Sequence, residues 1–261
     1  MTHIAFELAG PDDAPLIALV HGTMDRSTGM LRLSRRLDDR YRVLRYDRRG
    51  YGRSAPHDGP FDMNAQVDDL MSLLGDRAAV VVGHSYGGNV ALAAASRFPA
   101  QIRGVAIYET PLSWEPWWPG TTAGAAARAT LGEADEAAER FMRRLVGDKT
   151  WEALPERTRA TRRAEGAAMV GELRDLHAHA PWRAEDVVCP LVLGCGSLAR
   201  PHHREGMAFI QARVPGSMLV ELAGCRHDAP MSHSELFTSL IVEPLLAQVG
   251  GEWSGANRVK R

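Results

Sequence analysis

The sequence has few cysteines and no long hydrophobic run, and both absences narrow the kinds of protein it encodes. Its three cysteines, Cys189, Cys195 and Cys225, cannot all pair with one another, and their spacing matches no zinc pattern. We therefore expect reduced thiols in a cytoplasmic protein. No apolar stretch approaches the roughly 20 residues of a membrane helix. The first residues also lack the basic and apolar regions of a signal peptide, so we expect no membrane partner.

An excess of charge of either sign is also missing. The chain has 31 Lys and Arg residues against 32 Asp and Glu residues, which leaves a formal net charge of -1. This balance gives no global field that would attract nucleic acid, so we expect a small-molecule substrate in a local pocket. The histidines and cysteines lack ligand spacing, and we predict neither a metal nor an organic cofactor. The sequence is compatible with a homo-oligomer.

Short apolar runs alternate with longer helical patterns, which is typical of an α/β protein with a mostly parallel sheet. The runs read as nearly continuous Val, Leu, Ile and Ala, so we expect helices on both faces of the sheet. An antiparallel edge strand is predicted over Ile4–Leu8. The other predicted strands are Leu16–Val20, Tyr41–Tyr46, Ala78–Val82, Gly104–Tyr108, Leu191–Leu193 and Met218–Leu222.

This rhythm changes between residues 111 and 188, where several helical patterns occur without a convincing strand. One of them, Glu133–Val146, places apolar side chains such as Phe141 and Met142 on one face. We predict a helical lid over 111–188, inserted after the sixth strand of a core formed by 1–110 and 189–261.

A serine at position 85 has the setting of a catalytic nucleophile. Residues 83–87 form the pattern G-x-S-x-G between an apolar strand and a helix-forming segment. A sharp turn there would strain the backbone of Ser85 and expose its hydroxyl above the sheet. Gly83 and Gly87 are needed because side chains at these positions would collide across the turn. The alternative is a glycine-rich loop whose serine caps the helix.

A serine needs a neighbouring base to take its proton, and the chain has ten histidines. His227 follows the last predicted strand in a loop that can return its imidazole to Ser85, and we predict it to be the base. His202 and His203 lie between strands and are expected in solvent. His84 lies within the turn and should point away from the serine hydroxyl.

Four motifs occur in the order and spacing of the α/β-hydrolase superfamily, which this sequence resembles. They lie at residues 19–23, 46–54, 83–87 and 224–227. The resemblance is to the esterase and cofactor-free haloperoxidase branch, and it covers almost the whole chain except the lid. It implies the α/β-hydrolase fold and a serine hydrolase activity. The segment 47–54 is interpreted as structural.

The resemblance also implies an oxyanion hole. The His-Gly stretch at 21–22 resembles the oxyanion loop of the superfamily, and by that match the backbone N–H groups of Thr23 and Tyr86 bind the oxyanion. Met24 is the alternative to Thr23. Two aimed donors are needed because the charge develops on one oxygen in a partly dry site.

A serine hydrolase triad also needs an acid that orients the histidine. In this sequence the acid is not at the position where most relatives have it. In those proteins it is an aspartate just beyond the strand that follows the lid, whereas here Ser197 occupies that place. No acidic residue lies between Asp186, which precedes this strand, and Glu205, which is expected on the following helix.

Glu109 is the predicted substitute, because it ends the neighbouring strand. In a parallel sheet this position lies on the same edge as the Ser85 turn. Some haloalkane dehalogenases have a glutamate in this placement. We predict a triad of Ser85, His227 and Glu109; the alternatives are Asp228 as the acid, or Glu109 in a salt bridge to a lid arginine.

A serine nucleophile predicts acyl transfer through an acyl-enzyme on Ser85, which water activated at His227 then hydrolyses. We expect an uncharged, largely apolar ester, lactone or thioester as the substrate, and a solvated face for the lid arginines. A lyase, a carbon–carbon bond hydrolase or a weakly active binding protein could use the same site. The residues predicted to bind substrate are Met24, Trp114, Trp117, Trp118 and Met142.

Overall fold

The computed structural model describes residues 3–130 and 133–250, which form a seven-stranded sheet surrounded by helices. The strand order is β1-β3-β2-β4-β5-β6-β7, and only β1 is antiparallel to its neighbour in the described sheet. This is the predicted α/β class. The strands are β1 Phe6–Ala9, β2 Leu16–Val20, β3 Arg42–Tyr46, β4 Ala79–His84, β5 Ile102–Tyr108, β6 Leu191–Gly196 and β7 Met218–Leu222.

Two strands run further toward the carboxyl edge of the sheet than their apolar sequences predict. β4 continues to His84, which pairs with Tyr108 on β5. β6 continues to Gly196, which pairs with Leu222 on β7. Both extensions bring the chain directly to the edge where the predicted site residues follow the strands.

The described residues also form α-helices of four to thirteen residues, and a π-helical turn at Thr238–Val242 joins the last two. Shorter 3-10 turns occupy Ser27–Met30, Gly52–Ser54 and Ala184–Asp186. The helices are α1 Leu31–Ser34, α2 Met63–Leu74, α3 Tyr86–Arg97, α4 Ala123–Arg128, α5 Ala134–Val146, α6 Asp148–Ala153, α7 Glu156–Ala164, α8 Gly166–Ala178, α9 Pro201–Gln211, α10 Ala229–Ser232, α11 Ser234–Phe237 and α12 Glu243–Val249.

Helices cover both faces of the sheet. Helices α2, α3 and α9 pack on one face, while α1, α11 and α12 pack on the other. Along β2, Ala18 and Val20 face the first layer, and Ile17 and Leu19 face the second. All of β2 is buried, as expected for a strand with a continuous apolar sequence. None of the helices in the described part of the chain is both long enough and apolar enough to cross a membrane.

Helices α4 to α8 lie between β5 and β6, and we call residues 111–190 the helical insertion. The insertion therefore follows the fifth described strand and not the sixth, because β1 to β5 precede it along the chain. A hydrophobic cluster of its own includes Phe141, Trp151 and Met169. Met24 and Tyr51 from the core join this cluster and fasten the insertion to the sheet.

Candidate active site

Ser85 occupies a sharp turn between β4 and α3. Its φ of 53° and ψ of -123° are strained for a residue with a side chain. A Cβ added to Gly83 would lie 2.3 Å from the Gly87 carbonyl oxygen, and one on Gly87 would lie 2.2 Å from the Val20 oxygen. Only glycine fits these two positions. At Gly83 a side chain would collide across the turn, as the sequence predicted, whereas at Gly87 it would collide with the backbone of the neighbouring strand β2.

Backbone strain is concentrated around this turn. Among residues 3–130 and 133–250, the non-glycine residues with a positive φ are Met24, Ser85 and Glu109, at 59°, 53° and 46°. All three line one cavity. Such strain persists only where the surrounding structure enforces it, and it is common at functional sites.

Glu109 and His227 are in direct contact at the carboxyl edge of the sheet. His227 Nδ1 lies 2.8 Å from Glu109 Oε2. The Glu109 side chain is completely buried, whereas the His227 side chain is 30% exposed and lines the same cavity as Ser85. The structure thus brings together the three residues predicted to form the triad.

His203 is a second partner of Glu109 that the sequence analysis missed. Its Nδ1 lies 2.7 Å from Glu109 Oε2, and its side chain is 14% exposed. The expectation that His202 and His203 lie in solvent is wrong, because the start of α9 folds against the cavity and Trp118 contacts both rings. The ligand atoms of Glu109, His203 and His227 are close enough to hold a metal ion, but both contacts have ordinary hydrogen-bond lengths.

Burial and hydrogen bonding act in opposite directions on these groups. Burial favours a neutral Glu109, but the hydrogen bonds from His203 and His227 outweigh it and lower the Glu109 pKa. Burial lowers the pKa of His227 below its usual value, and the hydrogen bond to Glu109 opposes this only in part. Glu109 is therefore ionised at neutral pH, and His227 is neutral and able to accept a proton.

Several hydrogen bonds hold the loop that carries His227, and side chains outside the loop make some of them. The Tyr108 hydroxyl donates to the Arg226 carbonyl oxygen at 2.9 Å. His84 Nε2 lies 2.8 Å from the His227 carbonyl oxygen, and burial lowers the pKa of His84 to about 4. Ser197, at the position where most relatives keep the acid, accepts from the Gly224 N–H at 2.8 Å. Ser197 thus supports the histidine loop.

The residues predicted for the oxyanion hole flank Ser85. Thr23 and Met24 both line the cavity, in a turn where the Asp25 N–H donates to the Gly22 carbonyl oxygen. Tyr86 is the first residue of α3, where backbone N–H groups lack partners within the helix. Its side chain is buried in the core, with the Arg48 guanidinium 4.6 Å from its ring.

A buried ion pair ties the Thr23 turn to the helical insertion. Arg48 donates to Glu172 on α8 at 2.5 and 3.3 Å, and both side chains are completely buried. Glu172 Oε1 also accepts from the Tyr51 hydroxyl at 2.8 Å and from the Thr23 hydroxyl at 2.6 Å. Arg48 further donates to the Gly22 carbonyl oxygen at 3.1 Å. The conformation of this turn therefore depends on contacts from both parts of the fold.

The cavity above Ser85 has a volume of about 600 Å³ and is lined by both the core and the helical insertion. Met24, Trp118 and Met142 line it, as predicted for substrate-binding residues. Trp114 and Trp117 do not belong to its lining. They are a correction to the prediction, because Trp114 packs against Trp182 and Trp117 against Phe209, where they fasten the insertion to the core.

Comparisons with known proteins agree with this architecture. The chain is 35% identical over 101 residues to a 2-(acetamidomethylene)succinate hydrolase of Mesorhizobium japonicum, a match that covers 37% of this chain and 36% of that protein. The chain thus matches only about a third of the length of this curated relative.

Solved structures extend the similarity to nearly the whole fold. A thermophilic esterase from Thermogutta terrifontis superposes with a TM-score of 0.70 at 24% identity, covering 90% of each chain. The enol-lactonase of Burkholderia xenovorans gives a TM-score of 0.70 at 23% identity, covering 90% of this chain and 94% of that one. At these identities the similarity concerns the fold alone.

The family model described as the alpha/beta hydrolase family matches residues 17–239. This range contains the strained turn at Ser85 and the Glu109–His227 contact. It also contains β3 to β7 and all of β2 except its first residue. The chain belongs to the alpha/beta hydrolase family.

Proposed function

We propose that this protein is a serine hydrolase that cleaves a small carboxylic ester or lactone through an acyl-enzyme on Ser85. The observation that carries the proposal is the convergence of a strained serine and a histidine–carboxylate pair on one cavity. A triad is recognised by such geometry and by the roles of its members.

In the first step, the Ser85 hydroxyl oxygen attacks the substrate carbonyl carbon while His227 Nε2 takes the hydroxyl proton. Glu109 accepts a hydrogen bond from the Nδ1–H of His227, which leaves Nε2 unprotonated and ready to act as the base. The ionised Glu109 then stabilises the imidazolium that forms.

The carbonyl oxygen becomes an oxyanion, which the backbone N–H groups of Thr23 and Tyr86 bind in this proposal. His227 then returns its proton to the leaving alkoxide, and the acyl group stays on Ser85. A water molecule deprotonated by His227 attacks the acyl-enzyme, and the acid product leaves with Ser85 regenerated. In a lactone, the alkoxide and the acid belong to one product molecule.

Two further observations support ester or lactone cleavage. The structural neighbours include proteins described as an esterase and an enol-lactonase. The cavity is also large enough for a small molecule, since ligand pockets typically measure about 300–1,000 Å³. Helices α4, α5 and α8 of the insertion contribute to its lining and would act as the predicted lid.

A fluorophosphonate probe and p-nitrophenyl esters of increasing chain length test the proposal. We expect the probe to label Ser85 and the protein to hydrolyse short neutral esters. Ser85→Ala and His227→Ala should each lower kcat on the order of 10⁶-fold, because these residues act as a unit. Glu109→Gln should lower kcat on the order of 10⁴-fold, since the imidazole loses its orienting carboxylate.

The matched control is Ser239→Ala, which removes an exposed hydroxyl far along the chain and should leave labelling and turnover unchanged. An unlabelled Ser85 together with full ester turnover in Ser85→Ala would refute the proposed function. If Glu109→Gln keeps full activity while His227→Ala loses it, Glu109 has no part in the chemistry. A lyase or carbon–carbon bond hydrolase would be labelled by the probe but would leave the ester series unhydrolysed.

A further inference from the structure

Arg128 is a half-buried cation that lines the cavity and has no partner among the described residues. It ends helix α4, which Thr122 caps by accepting a hydrogen bond from the Ala125 N–H at 3.1 Å. Within the described part of the chain, no carboxylate or carbonyl oxygen pairs with its guanidinium. Burial lowers the Arg128 pKa, and no acidic group opposes that shift.

The other arginines of the cavity differ from Arg128. Arg162 donates to the Met24 carbonyl oxygen at 2.6 Å, and Arg144 donates to the Thr121 carbonyl oxygen at 2.8 Å. Arg200 and Arg226 are exposed at the rim. The sequence predicted a solvated face for the lid arginines, but not all of them lie on one. Of these five arginines, Arg128 is the one that is partly buried and has no hydrogen-bond or ion-pair partner in residues 3–130 and 133–250.

The guanidinium of Arg128 lies near Gly124 on the cavity lining. Its Nη1 would be 4.0 Å from a Cβ built on Gly124, one turn earlier on the same helix, and Gly124 itself lines the cavity. The neighbouring wall is apolar, formed by Phe141, Met142 and Leu173. A partly buried charge without a partner is unfavourable, and a bound anion would remove this cost.

We infer that Arg128 binds a carboxylate of the substrate, so that the substrate is the half-ester of a short dicarboxylic acid or the lactone of a short hydroxy-dicarboxylic acid. This inference rests on the proposed function and deepens it. A planar guanidinium matches a carboxylate with two parallel hydrogen bonds. The apolar wall suits the methylene chain between that carboxylate and the carbonyl at Ser85. Such a substrate is anionic, unlike the uncharged ester expected from the sequence.

A pair of substrates that differ only in the terminal group tests the inference. p-Nitrophenyl hemiglutarate ends in a carboxylate, and p-nitrophenyl valerate has the same carbon chain and ends in a methyl group. We expect wild-type kcat/KM to favour the hemiglutarate. Arg128→Met should lower kcat/KM for the hemiglutarate about 10- to 100-fold, as expected for a lost charge-assisted pair. The value for the valerate should stay within about twofold.

Two variants accompany Arg128→Met. Arg128→Lys keeps the charge without the forked geometry and should lose less activity on the hemiglutarate. Arg174→Met removes an exposed arginine from α8 and should leave kcat/KM unchanged for both substrates. Unchanged valerate hydrolysis shows that Arg128→Met is folded. The inference is overturned if wild-type kcat/KM does not favour the hemiglutarate, or if Arg128→Met lowers kcat/KM equally for both substrates.

Calorimetric titration with glutarate gives a readout that does not need turnover. We expect glutarate to bind wild type and Arg174→Met equally, and Arg128→Met at least about tenfold more weakly. Equal binding by all three, or none by wild type, would overturn the inference while leaving ester hydrolysis at Ser85 intact. Conversely, glutarate binding that depends on Arg128 in a protein without ester turnover would overturn only the proposed function.

Discussion

At the scale of single residues, one carboxylate oxygen serves two imidazoles. Glu109 Oε2 lies 2.7 Å from His203 Nδ1 and 2.8 Å from His227 Nδ1. Each histidine therefore competes for the charge that would stabilise the protonated form of the other. His203 also lowers the His227 pKa by charge repulsion when both rings are protonated. His203 thus acts on the proposed base through Glu109.

This sharing predicts a change in the pH profile. In the proposed mechanism, activity requires neutral His227 and falls as the pH drops through the His227 pKa, which burial places below its usual range. In His203→Phe, Glu109 is left to His227 alone, so the His227 pKa rises and the acid limb of kcat/KM moves to higher pH. The acid limb is measured with p-nitrophenyl valerate between about pH 4 and 8, because this interval includes the range in which histidine titrates.

His203→Gln is the matched variant, because its amide can still donate to Glu109 but does not titrate. We expect its acid limb to lie between those of wild type and His203→Phe. Glu109, His84 and Asp228 also bear on the His227 pKa, and all three remain in both variants. An acid limb that stays in place in His203→Phe would show that His203 only fills space.

Glu109 and His203 differed in how readily the sequence identified them as site residues. Glu109 directly follows a buried strand, and strand order alone places it beside the Ser85 turn. His203 lies in the first turn of α9, 94 residues from Glu109, and no periodicity marks it. Its position depends on how α9 packs against Trp118, which is a tertiary contact.

At the scale of elements, the turn between β4 and α3 depends on the close approach of two backbone segments. A Cβ on Gly87 would lie 2.2 Å from the Val20 carbonyl oxygen and 2.7 Å from that of His21. Both obstacles are backbone atoms of the neighbouring strand and its loop, so they cannot move aside as a flexible side chain would. The turn and the Thr23 loop are therefore fitted to each other.

Gly87→Ala should consequently destabilise the fold by about 3 kcal/mol through overpacking. This would lower the melting temperature by roughly 6–12 °C in a chain of this size. Gly120→Ala is the control, because nothing lies within 4 Å of an added Cβ there. Calorimetric melting of both variants measures the difference, and a Gly87→Ala melting temperature equal to that of wild type would contradict the clash.

The elements themselves were predicted well where hydrophobic pattern decides them. β2 and β7 have the predicted bounds, and α5 begins one residue after the predicted start. The ends of β4 and β6 were missed because Gly83, His84 and Gly196 belong to strands only through pairing with neighbouring strands. Pairing partners are not visible in a local pattern.

At the scale of the whole molecule, the core and the helical insertion meet at the buried pair of Arg48 and Glu172. These residues are 124 positions apart, and the sequence analysis interpreted the segment around Arg48 only as structural. The pair belongs to a network with Tyr51 and Thr23, so it joins the insertion to the proposed oxyanion turn. Nothing local in the sequence identifies such a long-range partner.

Removing one member of this pair should destabilise the fold more than removing both. Glu172→Met leaves the Arg48 charge buried and unpaired, which should destabilise the fold by about 3–5 kcal/mol. The double variant Arg48→Met, Glu172→Met leaves no buried charge, and its loss should be smaller than that of Glu172→Met alone. Glu185→Gln, which removes an exposed acid, should change the free energy of unfolding by less than about 0.5 kcal/mol.

Urea unfolding of the four proteins measures these differences, and ester hydrolysis shows what the network does for the site. Because Glu172 accepts from the Thr23 hydroxyl, Glu172→Met should lower kcat for p-nitrophenyl valerate with little change in KM, as expected when a transition-state contact is misplaced. The double variant should regain stability but not kcat, since Thr23 still lacks its acceptor. Recovery of both together would show that the pair stabilises the fold without positioning the oxyanion turn.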